Sequence, residues 1–183
     1  GEALALAGQA AGNQVFSSAA WLTSVIPTIM TPLFAKASAS GDVEALQSRI
    51  GEAIFISVVA SLLVTLALLI FQRSCLLLVG SASALPFSLP YLRYRLPGVL
   101  PEAVSVIGFA AFRGCLDTVT PLQVALCSNL LNIVLDPILI FTGKLGVAGA
   151  ALATTASQLF SMAAYLWLLL RRNLVRVALL CRP

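Results

Sequence analysis

A long apolar run in the second half of the chain limits its fold more than any other feature. From Thr118 to Gly143 the sequence contains a single charged residue, Asp136. An α-helix needs about 20 residues to cross the hydrocarbon core of a bilayer, so this run is long enough. Lipid admits only helices and closed barrels, and the short alternating segments of a barrel are not seen in this sequence. The run therefore predicts a membrane-spanning helix with an acid inside it.

The composition extends this prediction to the rest of the chain. Apolar residues make up 60% of it, charged residues only 10%, and the mean hydropathy is +1.00. These values are typical of integral membrane proteins and not of soluble domains. The net charge of +4 comes from basic residues that are scattered or lie at the ends of apolar segments. The expected partner is therefore the lipid bilayer, and no nucleic acid.

Five apolar segments are long enough to span a membrane. A window of about 19 residues places them at residues 10–35, 53–72, 92–112, 121–142 and 146–170. The fold class is therefore predicted as all-α, a polytopic bundle of about five transmembrane helices over residues 1–183. An odd number of spans and a first residue other than Met suggest a fragment of a longer protein.

The residue types argue against an enzyme and against a metal or cofactor site. The chain has no histidine, which removes the commonest metal ligand and the commonest general base. An intramembrane enzyme such as a prenyl transferase would need paired Asp-rich motifs. The four cysteines, which show no metal-like spacing, are interpreted as small apolar packing residues: Cys75, Cys115, Cys127 and Cys181.

Asp136 is the first candidate for a functional site. A charged residue inside a span costs about 2.5–3.5 kcal/mol on insertion scales, and such residues usually mark ion or substrate paths. Asn132 lies one turn earlier on the same helical face. At 1.5 Å per residue, Asp136 lies about 9 Å below the turn to the next span and Thr154 about 12 Å below it. These three residues predict a site for a cation or a proton, and the alternative is a structural carboxylate held by Asn132 and helix ends.

A second polar set is expected to line a cavity. Gln158, Ser161 and Tyr165 share the face of Thr154 on the last span. Glu102 is the second buried acid, and either it pairs with Arg95 or it lines the same cavity. The alternative for the hydroxyl groups is hydrogen bonding between helices, worth about 0.6 kcal/mol on average.

Three consecutive motifs resemble one transporter family. They are Phe112-Arg-Gly-Cys-Leu-Asp-Thr-Val-Thr-Pro-Leu122, Asn129-Leu-Leu-Asn-Ile-Val-Leu-Asp-Pro-Ile-Leu-Ile-Phe141 and Leu145-Gly-Val-Ala-Gly-Ala-Ala-Leu-Ala-Thr154. In this order they resemble the multidrug and toxic compound extrusion (MATE) transporters, and the Asp-Pro-Ile-Leu-Ile-Phe helix end is similar to plant and algal members, including plastid ones. The opening from Glu2 and the turn that ends at Asp42 are also similar to this family.

The resemblance implies a fold, an activity and roles for the site residues. Family members have twelve helices in two lobes and exchange small organic substrates for H⁺ or Na⁺, with no cofactor beyond that ion. This chain is similar to helices two to six of the N-terminal lobe. Asn132 and Asp136 match the ion pair of the fifth helix, and Thr154 matches a sixth-helix ligand. The first helix, which carries another acid, and the C-terminal lobe are the implied partners, and the plastid envelope is one implied location.

Two other functions stay open on the sequence. One is a flippase for lipid-linked precursors with the same architecture, which would need a cationic cavity. The other is a truncated membrane protein that transports nothing.

Overall fold

The computed structural model describes residues 2–80 and 82–175, apart from the side chain of Glu2. Cys181 therefore lies outside the described residues. The described residues form α-helices, short 3₁₀ or π segments and connecting turns. The α-helices are α1 (Glu2–Thr23), α2 (Val25–Ala39), α3 (Val43–Val79), α4 (Leu85–Arg95), α5 (Val99–Gly114), α6 (Val119–Pro137) and α7 (Val147–Arg171).

The helices group into five segments that are long and apolar enough to cross a membrane. Their bounds are Ala3–Ala39, Val43–Val79, Ala82–Gly114, Val119–Thr142 and Val147–Arg171. The prediction of an all-α membrane bundle is confirmed. The first four segments are longer than their apolar windows in the sequence, because polar residues at a helix end continue the backbone hydrogen bonding that a hydropathy window does not register. The fifth has the length of its window and is displaced by one residue.

The first span is interrupted at Ser24, where α1 ends and α2 begins. Pro27 has no N–H group and leaves the carbonyl four residues earlier without its helical donor. The hydroxyl groups of Thr23 and Ser24 donate to the carbonyls of Ala20 and Trp21, at 2.8 and 2.7 Å. The N–H of Ser24 donates to the same two carbonyls at 3.0 and 3.2 Å, so the last turn of α1 keeps its backbone bonded up to the break.

The third span is the centre of the bundle and is also broken. Between α4 and α5 the chain forms a 3₁₀ turn over Leu96–Gly98. Pro97 removes the N–H that would continue the α-helical pattern. The carbonyl of Tyr94 accepts a hydrogen bond from the Thr155 hydroxyl of α7 at 3.0 Å. Because the span begins at Ala82 and not near residue 92, Arg95 lies in its interior, and its residue is only 5% exposed.

Close approach between α5 and α7 holds this centre together. A Cβ atom on Gly108 would lie 2.6 Å from the Cβ of Tyr165. The absence of a side chain at Gly108 therefore lets the Tyr165 ring pack directly on the α5 backbone, as small residues commonly do between membrane helices. The core around this contact includes Phe34, Ile50, Ile107, Phe112 and Leu169.

The last two spans form a hairpin whose first arm is the least buried. After Pro137 the backbone of α6 continues as a π-helical turn over Ile138–Thr142. Gly146, at φ +54°, precedes α7, and a positive φ favours glycine at such a turn. The helices α6 and α7 pack against each other.

Asp117 fixes the start of α6. Its carboxylate accepts hydrogen bonds from the N–H groups of Val119 and Thr120 at 3.1 and 3.0 Å and from the Thr120 hydroxyl at 2.6 Å. It also lies 3.7 Å from Arg172. The hydrogen bonds from Thr120 lower the pKa of Asp117, and Arg172 and the N–H of Val119 lower it further. Burial opposes them by raising it.

We predict that Asp117→Ala destabilises the protein by about 1 kcal/mol at neutral pH, the usual loss for a helix-capping side chain. The folded-state pKa lies below the ordinary value of about 3.9. The contribution of the carboxylate is therefore complete above about pH 4 and is lost as the pH falls through the folded-state pKa. Thermal unfolding in detergent at several pH values measures this. A deficit in Asp117→Ala that stays constant down to the most acidic pH would contradict it.

Gly108→Ala is expected to destabilise the bundle by about 1–3 kcal/mol, because the added methyl group separates α7 from α5. Thermal unfolding midpoints measure the effect. Ala67→Val is the control, since it enlarges an exposed side chain on α3. Equal midpoints for Gly108→Ala and the parent would show that the two helices do not pack as described.

Candidate functional site: buried polar groups of the lobe

Asp136 and Asn132 lie one turn apart near the end of α6, and each carries a buried polar atom without a partner. Among the described residues, Asp136 Oδ1 and Asn132 Nδ2 make no hydrogen bond. Buried polar atoms are nearly always satisfied, so two such atoms on one helical turn need an explanation. A cation, a proton or a further donor satisfies Asp136 Oδ1, whereas Asn132 Nδ2 donates and needs an acceptor.

Thr154 lies on the other arm of the hairpin. Its hydroxyl donates to the Ala150 carbonyl at 2.9 Å, which leaves the oxygen lone pairs of Thr154 free to accept. In the described part of the chain no hydrogen bond joins Thr154 to Asp136 or Asn132. Thr154 lies seven residues into α7 and Asp136 six residues before the end of its span, so both are about 10 Å from the turn. Asp136 and Thr154 thus lie at a similar depth on packed helices, and Asn132 lies one turn deeper.

Three of the four predicted cavity residues line one cavity. Glu102, Ser161 and Tyr165 border a space of about 280 Å³ between α5, α6 and α7. Its other polar borders include Ser105, Ser128 and Asn129. The fourth, Gln158, is not among its lining residues and contacts Glu102 instead.

Gln158 joins the two groups for which the sequence left alternatives open. Arg95 Nη1 donates to Gln158 Oε1 at 3.0 Å, and Gln158 Nε2 donates to Glu102 Oε2 at 2.9 Å. Arg95 and Glu102 are therefore connected through an amide, and no direct ion pair between them is seen in the described residues. Glu102 lines the cavity, as the second alternative expected, and the ion pair of the first alternative is replaced by the link through Gln158.

Two serine hydroxyl groups form hydrogen bonds between the arms of the hairpin. Ser161 Oγ donates to Ser128 Oγ at 2.7 Å, and Ser128 Oγ donates to the Ser157 carbonyl at 2.9 Å. These bonds tie α6 to α7. Ser161 therefore contributes to helix packing as well as bordering the cavity.

Two features of this region were not found from the sequence. The first is Thr155, whose neighbour Thr154 was chosen, although Thr155 is the hydroxyl that bonds across to α4. The second is Gly98, whose missing side chain leaves room for the Gln158 amide. The Arg95-Leu-Pro-Gly98 sequence is the signal that was available, because Pro97 and Gly98 together mark a helix break.

The site contains no cluster of metal-ligating residues of the usual kind. In the described ranges no group of three or more His, Cys, Asp or Glu side chains lies close enough to hold a metal ion. A cation at Asp136 would have to be held by oxygen atoms of mixed origin, a carboxylate, an amide and a hydroxyl, as hard cations prefer.

Comparison with known proteins identifies the fold and its relatives. Over 95% of its length the chain is similar to a crystal structure of MATE in the bent conformation, with a TM-score of 0.86, 24% sequence identity and 40% coverage of that chain. A crystal structure of MATE in the straight conformation matches with a TM-score of 0.83 and 25% identity, over 95% of this chain and 39% of that one. Both likenesses concern the same arrangement of helices.

Curated relatives come from plants and bacteria. Protein DETOXIFICATION 44, chloroplastic, of Arabidopsis thaliana is 43% identical over 46% of this chain, which covers 18% of that protein. The probable multidrug resistance protein NorM of Thermotoga maritima is 27% identical over 92% of this chain and 38% of its own length. The chain thus spans well under half the length of these relatives.

The family assignment rests on a match over most of the chain. The model of the MatE family matches residues 2–138. That range runs from the first helix to the end of α6 and includes Glu102, Asn132 and Asp136. The fold, the five spans and the relatives agree with it, and the chain is an integral multi-pass membrane protein that belongs to the MatE family.

Proposed function

We propose that this chain forms most of one lobe of a secondary antiporter that exports small organic solutes in exchange for H⁺ or Na⁺. Family membership supports transport, and the unpartnered Asp136–Asn132 pair supports the ion coupling. The names of relatives, among them a multidrug resistance protein and a FAD transporter of Shewanella oneidensis, support organic solutes as cargo.

In this proposal Asp136 is the group that loads and releases the coupling ion. A carboxylate in a span is costly unless it is neutralised, so binding H⁺ or Na⁺ removes an uncompensated charge. For Na⁺, the amide oxygen of Asn132 and the hydroxyl oxygen of Thr154 supply further ligands. For H⁺, the same oxygens accept a hydrogen bond from the protonated carboxyl.

The short helical end after Asp136 suits a response to loading. Pro137 and the π-helical turn over Ile138–Thr142 lie immediately after the acid. Such turns lack the regular hydrogen bonding that stiffens an α-helix, and they often occur at functional sites. Neutralising Asp136 is therefore expected to reposition this end of the hairpin and to lower the affinity of the cavity for substrate.

The flippase alternative is less well supported by the cavity. A lipid-linked precursor carries phosphates and would need a cationic cavity. The charged residue that borders the cavity between α5, α6 and α7 is Glu102, whereas Arg95 is 5% exposed and hydrogen-bonded to Gln158. An acidic border disfavours phosphate.

We predict that Asp136→Asn in the full-length transporter abolishes ion-driven efflux, with a fall of about ten-fold or more, equivalent to at least 1.4 kcal/mol. Asparagine keeps the shape of the side chain but binds neither H⁺ nor Na⁺ as a carboxylate does. Efflux of ethidium from proteoliposomes, driven separately by a pH gradient and by a sodium gradient, measures the loss and identifies the ion.

Glu52→Gln is the matched control, because Glu52 is a carboxylate on α3 that pairs with Arg49 at 3.0 Å away from the cavity. It should leave efflux unchanged. Gradient-driven efflux by Asp136→Asn at the parent rate would refute the assignment. Transport by neither the parent nor the control, with both folded, would instead favour the alternative of a membrane protein that transports nothing.

A further inference from the structure

The break in the third span places opposite charges at facing helix ends. Arg95 is the last residue of α4, and Glu102 lies in the first turn of α5. A helix C-terminus carries partial negative charge and an N-terminus partial positive charge, so each side chain complements the end on which it lies. Broken membrane helices with charged or polar groups at their ends commonly form binding sites.

The two charges are held at a fixed separation by Gln158 of α7. The amide oxygen accepts from Arg95 at 3.0 Å, and the amide nitrogen donates to Glu102 at 2.9 Å. An arginine and a glutamate in direct contact would largely cancel each other's field, whereas attraction between charges weakens as they are separated. Because the Gln158 amide lies between them, the Glu102 carboxylate keeps more of its electrostatic field on the side that faces away from Arg95.

The two charges differ in their surroundings. The Arg95 residue is 5% exposed, and its guanidinium carbon lies 3.8 Å from the centroid of the Phe16 ring, which covers it from α1. Glu102 borders two spaces, one of about 180 Å³ against α1 and one of about 280 Å³ against α6 and α7. The Arg95 guanidinium is therefore covered by protein, whereas the Glu102 carboxylate borders the two spaces.

Gly98 leaves space for this arrangement because it has no side chain. A Cβ atom on Gly98 would overlap with Oε1 of Gln158, the atom that accepts from Arg95. That atom is at the end of a flexible side chain, so an alanine is accommodated by moving the amide and not the backbone. The glycine thus leaves the amide free to lie between the two charges.

We propose that Glu102 is the residue of the substrate cavity that selects cationic groups, and that Gln158 and Arg95 are positioning residues that aim it. The proposal rests on the proposed function, because it concerns the cavity of the same transporter. It differs from ion coupling at Asp136, which lies on another helix and, within residues 2–80 and 82–175, has no hydrogen bond to this network. The ligand chemistry it names is a small organic cation with apolar groups around the charge.

The test is equilibrium binding of two probes of matched size and opposite charge to the purified full-length transporter. Tetraphenylphosphonium carries a positive charge and tetraphenylborate a negative one. The measured quantity is the ratio of their two Kd values, in sodium-free buffer and without a gradient. A general loss of folded protein lowers the binding capacity for both probes and leaves this ratio unchanged.

The parent is expected to prefer the cation, and Glu102→Gln is expected to reduce that preference by about ten-fold, or 1.4 kcal/mol. Glu102→Asp keeps the charge and should retain a preference of the same sign. An unchanged ratio in Glu102→Gln would overturn the proposal. If that variant does not fold, loss of the preference in Glu102→Asp would do so, because the charge is still present.

The positioning role is tested by changes that leave Glu102 intact. Gln158→Met keeps the length of the side chain and removes both hydrogen bonds, and Gly98→Ala displaces the amide. Both should reduce the preference for the cation, because Arg95 then approaches and neutralises Glu102. Gln123→Met, the same substitution at an exposed position of α6, should not alter it. A full preference in both Gln158→Met and Gly98→Ala would show that Glu102 is not aimed by this network.

These results separate the two proposals. Asp136→Asn should lose ion-driven efflux and still prefer the cation, whereas Glu102→Gln should lose the preference. A preference that disappears in Asp136→Asn but survives in Glu102→Gln would show that Asp136 selects the cation, and it would overturn the inference. Failure of ion coupling alone would affect the proposed function and leave the selectivity result standing.

Discussion

The interior of this helix bundle is organised by the requirement that polar groups buried among membrane helices find partners within the protein. At the break over Leu96–Gly98, the chain gives up regular helical bonding and replaces it with side chains of α7. Thr155 satisfies a carbonyl of α4, and Gln158 connects Arg95 to Glu102. The central, most buried span is thus attached to α7 through polar contacts at the point where its own backbone is interrupted.

The second polar set differs from this one in which atoms are left unpaired. Asp136 Oδ1 and Asn132 Nδ2 have no partner among the described residues, on a helix that packs mainly against α7. In the first set Glu102 is bonded to Gln158, and the unpaired buried atom is Nε of Arg95. An unpaired buried polar atom costs about 1–3 kcal/mol. A site that binds and releases an ion benefits from an acid that the protein leaves unpaired, whereas an acid that holds a constant charge benefits from a bonded partner. The two acids therefore suit two different tasks.

The sequence was sufficient for the parts of the fold that depend on long apolar runs. The five spans, the all-α class and the polar face of α6 follow from hydropathy and helical spacing. The helix ends did not follow, because Asp42 and Asp117 cap helices beyond the apolar windows. Arg95 was expected near the end of a span because the apolar window begins near residue 92, whereas the span begins at Ala82.

The contacts across helices were the least predictable part. Spacing put Gln158 on the correct face of α7, but its role between Arg95 and Glu102 depends on how α4, α5 and α7 meet. That meeting is fixed by close approaches at Gly98 and Gly108, which no periodicity reveals. The proximity of Asn132 and Asp136, which lie one turn apart on a single helix, needed no such information.

Asp136 and Glu102 are assigned separate tasks, ion coupling and cation selection. A double-mutant cycle on cation binding tests this separation most directly. Tetraphenylphosphonium affinity would be measured for the full-length parent, Asp136→Asn, Glu102→Gln and the double variant. Independent sites without shared partners have free-energy changes that add to within about 0.3–0.5 kcal/mol. The account predicts additivity within that range. A coupling free energy of about 1 kcal/mol or more would show that Asp136 and Glu102 act as one site.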